Sequence, residues 1–222
     1  MNIFWESKDG AFALTKLGIF ASIAVILAAV LLIGLLKNKK TYSVRQVVFS
    51  AMSIALAFLL SMVKILRLSW GGSVTLLSML FVTLTGYWYG PGVGFTAAFA
   101  YSMLQFVEGG GGYMLSLLQV ALDYLLAFTA LGASGFFRKQ KNGLVTGYLV
   151  AVLLRGLFHA IGGYLFWMDY MPDNFPKELA FAYPVIYNYA YLLIEAAITI
   201  AVISLPPVKK ALAQIKNMAS AK

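Results

Sequence analysis

The chain has 222 residues, of which 61% are hydrophobic and only 11% are charged, and its formal net charge is +9. Soluble domains average about 25% charged residues, so this composition excludes a soluble globular protein and predicts a polytopic membrane protein. The positive charge does not indicate a nucleic-acid partner, because the cations are concentrated in short segments between apolar runs, as membrane topology requires.

Residue types also limit the chemistry available to the chain. It contains no cysteine and one histidine, which excludes disulfides and thiolate sites and disfavours a multi-ligand zinc site. No Gly-x4-Gly-Lys-Ser/Thr motif occurs, so the chain lacks a P-loop for nucleotide hydrolysis. We therefore expect neither a metal nor another cofactor.

The first predicted element is an apolar run at residues 17–36, which follows a short mixed start and is long enough to span a bilayer. A signal peptide is the alternative, but its apolar core is usually about 7–15 residues long and precedes a small-residue cleavage site. Here the run ends in the basic segment 37–40. The pattern therefore predicts a retained N-terminal transmembrane helix.

The second predicted span, residues 44–63, has Ala51 and Ala55 four positions apart. Small residues at this spacing allow two membrane helices to approach closely. The pair predicts either ordinary packing inside the bundle or a docking face for another membrane subunit.

Two further spans are predicted at residues 73–89 and 93–107, after a loop at 64–72 that contains Trp70. The Gly-Pro-Gly sequence at 90–92 predicts a tight turn between them, because glycine relaxes φ and proline removes a donor.

The fifth span is predicted at residues 113–137, after a run of four glycines at 109–112. The glycines lack the strand-to-helix context and the lysine of a phosphate loop, so we interpret them as a connector or a lid. Within the span, Gln119 and Asp123 are separated by four positions, which places them on the same helix face.

The sixth span, residues 150–169, carries ionisable residues where a membrane helix is usually apolar. Arg155, His159, Gly163 and Trp167 follow one another at steps of four and share one stripe of the helix. Ionisable groups at bilayer depth usually face a protein interior or a cavity. The stripe predicts one wall of a ligand pocket. The alternative is a structural arginine–carboxylate pair with a core histidine.

The seventh span is predicted at residues 182–205, with Asn188, Tyr191 and Glu195 on one face. Glu195 is interpreted either as a packing-face carboxylate, paired with a tyrosine hydroxyl or an arginine, or as a ligand contact. A proline pair ends the span, and a basic tail follows at 211–222.

The distribution of cations predicts an outside N-terminus and a cytoplasmic C-terminus, because 11 of the 17 Lys and Arg residues then lie in inside segments. This topology brings His159 and Asp123 about 12 and 15 Å below the outer surface, at about 1.5 Å per helical residue. Polar groups from three helices therefore converge at similar depth, which favours a binding site over independent structural pairs.

The predicted pocket combines an acid, an amide, an imidazole, a guanidinium and several aromatic rings. Aromatic faces attract cations and stack on flat rings, and a carboxylate complements a cation or an amino-pyrimidine edge. The combination suits a small, flat, partly cationic ligand. Arg155 is expected either to neutralise Asp123 in the empty site or to bind a ligand oxygen.

The motifs of the region from about residue 45 to residue 210 resemble those of a known family. The stretches that carry the resemblance are Gly71-Gly72-Ser73-Val74-Thr75-Leu76, Ser116-Leu117-Leu118-Gln119, Asp123-Tyr124, Leu131-Gly132, Phe137-Arg138, Arg155 to His159 with Gly163 and Trp167, and Tyr183 with Asn188. In these stretches the chain resembles the thiamine-specific (ThiT-like) substrate-binding components, or S components, of energy-coupling factor (ECF) transporters.

The resemblance implies roles for individual residues. The acid and tyrosine of the family pocket fall on Asp123 and Tyr124; the family acid is usually glutamate, and a bridging water could fill the missing methylene. Ala51 and Ala55 fall on the pattern that contacts the coupling subunit in that family. The other implied substrate-binding residues are Arg155, His159, Gly163, Trp167, Tyr183, Asn188 and Trp70.

The resemblance also implies the fold, the partners and the function. We expect an all-α membrane protein with a six-helix S-component core at residues 43–210, an extra N-terminal transmembrane helix with a basic loop at 1–42, and a basic cytoplasmic tail at 211–222. It would not be an enzyme. It would capture thiamine from outside, with the loop at 64–72 closing over it, and pass it inward with a transmembrane coupling subunit and two ABC-type ATPases.

Two other functions are consistent with the residues alone. A stand-alone secondary transporter of a small cationic heterocycle is one, although such folds usually carry internal repeats, and none is visible here. An intramembrane enzyme that uses His159 with Asp123 or Glu195 as acid–base groups is the other. Turnover by the isolated chain would support the enzyme, and uptake without ATPases would support the secondary transporter.

Overall fold

The computed structural model of the protein describes residues 5–8, 11–16, 42–109 and 113–220. The predicted N-terminal span at residues 17–36 lies outside the described residues. Four helical segments in the described part are long and apolar enough to cross a membrane, namely Val44–Met62, Leu117–Phe137, Gly143–Tyr170 and Lys177–Ser204. The chain is therefore an all-α membrane protein, while the count of six core spans plus one stays a prediction.

The described chain folds into a helical bundle with two small β-hairpins. The first hairpin pairs β1 (Trp5–Lys8) with β2 (Ala11–Leu14), and the second pairs β3 (Lys64–Arg67) with β4 (Ser73–Thr75). The helices are α1 (Val44–Met62), α2 (Ser78–Tyr89), α3 (Pro91–Glu108), α4 (Leu117–Phe137), α5 (Gly143–Gly162), α6 (Tyr183–Ser204) and α7 (Pro206–Ser220).

The β3–β4 hairpin corrects the prediction for residues 64–89. The segment at 64–72 is not simply a loop, because Arg67 pairs with Ser73 and the strands form an antiparallel ribbon. The turn uses Gly71 and Gly72, whose φ angles of +116° and +77° favour glycine. Since the ribbon takes up the residues through Thr75, α2 begins only at Ser78 and has 12 residues.

The hairpin marks one end of the bundle, called here the hairpin end, and the chain reverses at Gly90 at the opposite end. Gly90 has φ +94° and separates α2 from α3, where a tight turn is predicted. The C-terminal part of α4 also reaches this opposite end, because a Cβ on Gly135 would collide with the backbone of Gly90 and Pro91. The alternation of helix directions brings the end of α5 and the start of α6 back to the hairpin end.

α4 is the central helix of the bundle. In the apolar window of α4, 61% of residues are buried, compared with 22% for α1, which therefore lies at the periphery. Close helix contact explains the glycine at position 132, because a Cβ there would lie 2.6 Å from the backbone of Phe95 in α3. The core around α4 includes the buried side chains of Tyr101, Leu131 and Tyr148.

Two of the long helices contain π-helical turns near the hairpin end. In α4 the π turn spans Ala121–Leu126, and α5 continues through a π turn at Gly163–Trp167 into a 3-10 turn at Met168–Tyr170. A π turn needs more residues per revolution than an α-helix and often occurs at functional sites. The turns therefore change which side chains face inward.

Candidate ligand-binding site

A cavity of about 360 Å³ lies at the hairpin end, between the β3–β4 hairpin and helices α1 to α6. This volume is within the range of about 300–1,000 Å³ typical of small-molecule sites. The lining combines polar groups with aromatic rings from separate elements: Ser61, Lys64, Ser73, Thr75, Ser78, Gln105, Glu108, Asp123, Arg155, His159, Asn188 and Glu195, with Tyr101, Tyr124, Phe128, Trp167, Tyr187 and Tyr191.

Asp123 is the centre of the hydrogen-bond network. Its Oδ2 accepts from Nε2 of Gln119 at 2.9 Å and from the indole Nε1 of Trp167 at 2.8 Å. The side chain is buried, and its Oδ1 lies 3.8 Å from Nδ1 of His159. A carboxylate has about four acceptor positions, so Oδ1 retains capacity for a ligand donor.

His159 lies between Asp123 and Arg155. Nε of Arg155 donates to Nε2 of His159 at 3.3 Å, so the neutral imidazole carries its proton on Nδ1, toward Asp123. The guanidinium carbon lies 4.2 Å from the ring centroid of Phe128, a cation–π contact. Among the described residues no carboxylate lies within ion-pair distance of Arg155. Arg155 therefore forms no direct ion pair with Asp123, because the imidazole of His159 lies between them, and both alternatives for its role stay predictions.

Asn188 lines the cavity, but its amide is already used by the protein. Nδ2 donates to the backbone oxygens of Pro184 at 2.8 Å and His159 at 3.2 Å, and Oδ1 accepts from the hydroxyl of Tyr191 at 3.2 Å. The residue is 2% exposed. Asn188 therefore joins α6 to α5 next to the imidazole and holds the wall of the cavity in position.

The aromatic walls are formed by Tyr124 and Trp167. Tyr124 stacks on Phe128 with an interplanar angle of 26° and meets Phe106 edge-on. Trp167 packs against Tyr170 with ring centroids 5.3 Å apart, while its indole nitrogen is held by Asp123. Both rings are fixed by neighbours, which provides flat surfaces for a planar ligand.

Trp70 and Tyr183 do not line this cavity but pack together beside it. The hydroxyl of Tyr183 donates to the backbone oxygen of Trp70 at 3.2 Å, and Phe175 lies edge-on between the two rings at 5.0 Å from each. Trp70 lines a second cavity of about 430 Å³, and Tyr187 borders both. Tyr183 also stacks on Tyr187. This aromatic cluster connects the hairpin to the start of α6.

Gly163 lies outside the lining, against α6. A Cβ on Gly163 would lie 2.6 Å from Cβ of Pro184, whereas a Cβ on Gly162 would collide with Oδ1 of Asp123. The glycine next to the candidate acid is therefore Gly162, which spacing alone did not single out. Phe128, which carries the cation–π contact, was also missed because an apolar ring in an apolar span gives no distinguishing signal.

Ala51 and Ala55 lie on the exposed side of α1. Their neighbours on this surface are large and apolar, with Met52 58% exposed and Leu59 60% exposed. The small side chains thus form a shallow depression among larger ones, accessible to a neighbouring helix.

No group of three or more His, Asp or Glu residues that could hold a metal occurs in the described part of the chain.

Glu195 has a structural partner that neither interpretation of it anticipated. Its Oε2 accepts from the amide and hydroxyl of Thr75 at 2.8 and 2.7 Å, and its Oε1 lies 3.4 Å from Ser78 Oγ and Met79 N. The carboxylate therefore lies at the amide of Met79 in the first turn of α2, where negative charge is favourable. It fastens β4 and the start of α2 to α6.

Glu195→Gln should lower the melting temperature by about 2–12 °C, because an amide can accept through only one of its two atoms. An unsatisfied buried group costs about 1–3 kcal/mol, and 1 kcal/mol corresponds to about 2–4 °C for a chain of this size. Ligand affinity should fall less than after a change at Asp123. Glu178→Gln, at an exposed position, is the control, and an equal melting temperature for both variants would contradict the assigned role.

Comparisons with known proteins give consistent matches. A family described as "Thiamine transporter protein (Thia_YuaJ)" matches residues 47–215. The thiamine transporter ThiT of Bacillus subtilis is 29% identical over 171 residues, which cover 70% of this chain and 86% of that protein. ThiT of Lacticaseibacillus paracasei is 31% identical over 122 residues, covering 48% and 59%.

A solved structure of ThiT from Listeria monocytogenes has a similar fold. The TM-score is 0.62 at 21% identity, and the match covers 78% of this chain and 96% of that chain. The described bundle therefore shares the fold of that protein.

Proposed function

This chain belongs to the thiamine transporter protein family (Thia_YuaJ), and on that premise we propose that it is the thiamine-binding membrane subunit of an ECF-type importer. The family is a transport family and not an enzyme family, so the intramembrane-enzyme alternative is set aside. The subunit captures thiamine in the cavity at the hairpin end, which faces outside, with the N-terminus outside and the C-terminus cytoplasmic.

The observation that carries the proposal is the shared cavity of Asp123, His159, Asn188 and two aromatic walls, contributed by α4, α5 and α6. Thiamine has a cationic thiazolium ring and a flat aminopyrimidine ring. The charged lining residues are the acids Glu108, Asp123 and Glu195 and the cations Lys64 and Arg155. Acids therefore outnumber cations when His159 is neutral, which favours a cationic ligand.

The proposed contacts follow from which atoms the protein leaves available. Oδ1 of Asp123 accepts from the ligand, directly or through a water, while Trp167 and Tyr124 present ring faces. Nδ1 of His159 and the terminal nitrogens of Arg155 are donors at the same wall. Asn188 contributes through its hold on the His159 backbone.

Trp70, Tyr183 and Gly163 have supporting roles in this proposal. Trp70 and Tyr183 support the wall beside the cavity, because the hydrogen bond from the Tyr183 hydroxyl to the Trp70 backbone connects the hairpin to α6. Gly163 allows α5 to approach Pro184 closely, which brings the two walls of the cavity together.

Energy for transport comes from partners in this proposal. The partners are a transmembrane coupling subunit, which docks on the Ala51 and Ala55 face of α1, and two ABC-type ATPases. Residues 43–210 constitute the substrate-binding membrane domain, preceded by an N-terminal transmembrane helix and followed by a basic cytoplasmic segment at 211–222. The exposed, apolar character of the α1 face supports docking in the plane of the membrane.

Purified protein should bind thiamine with a nanomolar Kd, about 12 kcal/mol, and its tryptophan fluorescence should be quenched. Trp167→Phe should remove most of the quench, because among the tryptophans whose side chains the structure describes only Trp167 lines the cavity. Thiamine monophosphate, thiamine diphosphate and the free pyrimidine moiety are the competing ligands to be titrated. No quench and no heat of binding with thiamine would contradict the proposal.

The partner requirement needs a separate measurement. Proteoliposomes that contain this chain alone should bind thiamine without accumulating it, and uptake should require the coupling subunit, ATPases and ATP. Accumulation by the chain alone would identify a stand-alone secondary transporter instead.

A further inference from the structure

Helix α7 has a polar face and an apolar face and lies at the end of the bundle opposite the cavity. Its 15 residues include Lys209, Lys210 and Lys216 and no acidic residue. At 3.6 residues per turn, Val208, Leu212 and Ala219 fall on one face, Lys210 falls on the opposite face, and Lys209 and Lys216 lie along one flank. The helix thus combines the two surfaces expected of a segment at a membrane–water boundary.

Specific contacts hold α7 against the bundle. The hydroxyl of Tyr89 donates to the backbone oxygen of Ala219 at 3.3 Å. Nζ of Lys216 donates to the hydroxyl of Tyr87 at 3.0 Å and lies 4.2 Å from its ring centroid. The orientation of α7 is therefore fixed, with Lys216 committed to the protein and Lys209 and Lys210 exposed.

Part of the apolar face of α7 is not covered by the described protein. Met218 is 61% exposed and Ile215 is 36% exposed, and Leu205 immediately before the helix is 51% exposed. These side chains lie beside the strip that packs on the bundle, so they face sideways, toward the surroundings of the bundle. Because the bundle is embedded in lipid, the acyl-chain boundary is the apolar phase next to them.

The charge at this end has one sign. The cations that α1 to α7 and their connections place here are Arg45, Arg138, Lys139, Lys141, Lys209, Lys210 and Lys216, and the same segments place no carboxylate side chain here. The acids of the hairpin end, such as Glu108 and Asp169, lie at the far side of the bundle. A surface that is both cationic and flanked by apolar side chains complements an anionic lipid leaflet.

We infer that α7 is an interfacial helix that binds anionic lipid headgroups through Lys209 and Lys210, with Met218 and Ile215 at the acyl-chain boundary. The inference goes beyond thiamine capture and does not depend on it. Each of the two lysines near an anionic surface should raise the local preference for anionic over neutral lipid by up to ~5-fold. Lys216 contributes less, because the Tyr87 ring already holds it.

The absence of cysteine allows a specific test with a single label. Full-length Met218→Cys protein is labelled with a fluorophore and reconstituted in phosphatidylcholine vesicles. Trace phosphatidylglycerol or phosphatidylcholine with a spin label at the top of the acyl chain serves as quencher. The anionic quencher should be several-fold more effective, and ~1 M salt, where the Debye length is ~3 Å, should remove the difference.

Lys209→Gln with Lys210→Gln should bring the two quenchers to equal efficiency while thiamine binding is unchanged. The matched control is Arg67→Gln with Lys177→Gln, which removes two exposed cations from the hairpin end and should leave the preference intact. Equal quenching by both lipids in the labelled Met218→Cys protein without further changes would overturn the inference. It would indicate that a protein partner, rather than anionic lipid, occupies this face of α7. A preference that survives the double lysine change would overturn it as well.

Discussion

Asp123→Asn should weaken thiamine binding by about 10- to 150-fold. Hydrogen bonds to a charged group contribute about 1.5–3 kcal/mol, and each 1.4 kcal/mol is tenfold in Kd. The carboxylate accepts from both Gln119 and Trp167 and is the acid nearest the imidazole. An amide has one acceptor oxygen, so the variant must give up a bond to the protein or a bond to the ligand, and it loses the attraction for the thiazolium.

The control for this change is Asp169→Asn, which removes the same charge from an exposed position near the same end of the bundle. Titration calorimetry on both variants separates the local contact from the general loss of negative charge. If the two variants bind thiamine equally well, Asp123 is a structural residue and the ligand contacts lie elsewhere.

Gly162→Ala should weaken thiamine binding by about 5- to 150-fold. The added methyl group would collide with Oδ1 of Asp123, whose other oxygen is held by Gln119 and Trp167, so the carboxylate cannot move without breaking these bonds. Overpacking of this kind costs about 1–3 kcal/mol, which corresponds to this range of Kd. Calorimetry of the purified protein measures the loss of affinity, and thermal melting measures any loss of stability.

A double-mutant cycle tests the proposed cause. In an Asp123→Ala background the obstructing oxygen is missing, so Gly162→Ala should cause little further loss of affinity or melting temperature. Gly92→Ala is the neutral reference, because a Cβ at Gly92 meets nothing within 4 Å. Additive losses in the cycle would mean that Gly162 is needed for helix packing rather than for the position of the acid.

Spacing in the sequence predicted which side chains line the cavity better than it predicted the connections around the cavity. Ionisable residues in an apolar helix are informative because membrane burial is costly, and steps of four placed Arg155, His159 and Trp167 on one side. The π turn at Gly163–Trp167 was not predictable, because it depends on how α5 packs rather than on a local residue preference. Gly162 is three positions after His159 in the regular α-helix and lies on the same side as the imidazole, against Asp123, whereas Gly163 lies against Pro184.

The hairpin and the polar partners show where spacing along the chain stops being informative. Residues 64–75 pair as strands, a long-range choice that turn residues such as Gly71 and Gly72 allow but do not dictate. The pairing of hydrogen-bond donors with acceptors likewise depends on the tertiary structure and not on spacing along the chain. Glu195 binds Thr75, 120 positions away, and the imidazole of His159 separates Arg155 from Asp123.

The committed amide of Asn188 has a consequence for attempts to engineer selectivity for a different vitamin or a drug analogue. Replacement of Asn188 removes bonds to Pro184, His159 and Tyr191 together, so it alters the scaffold before it alters recognition. Tyr124 contacts its neighbours mainly through its ring, and Arg155 uses only Nε in a hydrogen bond among the described residues. Libraries aimed at new ligands should therefore diversify positions 124 and 155 first and keep Asn188 constant.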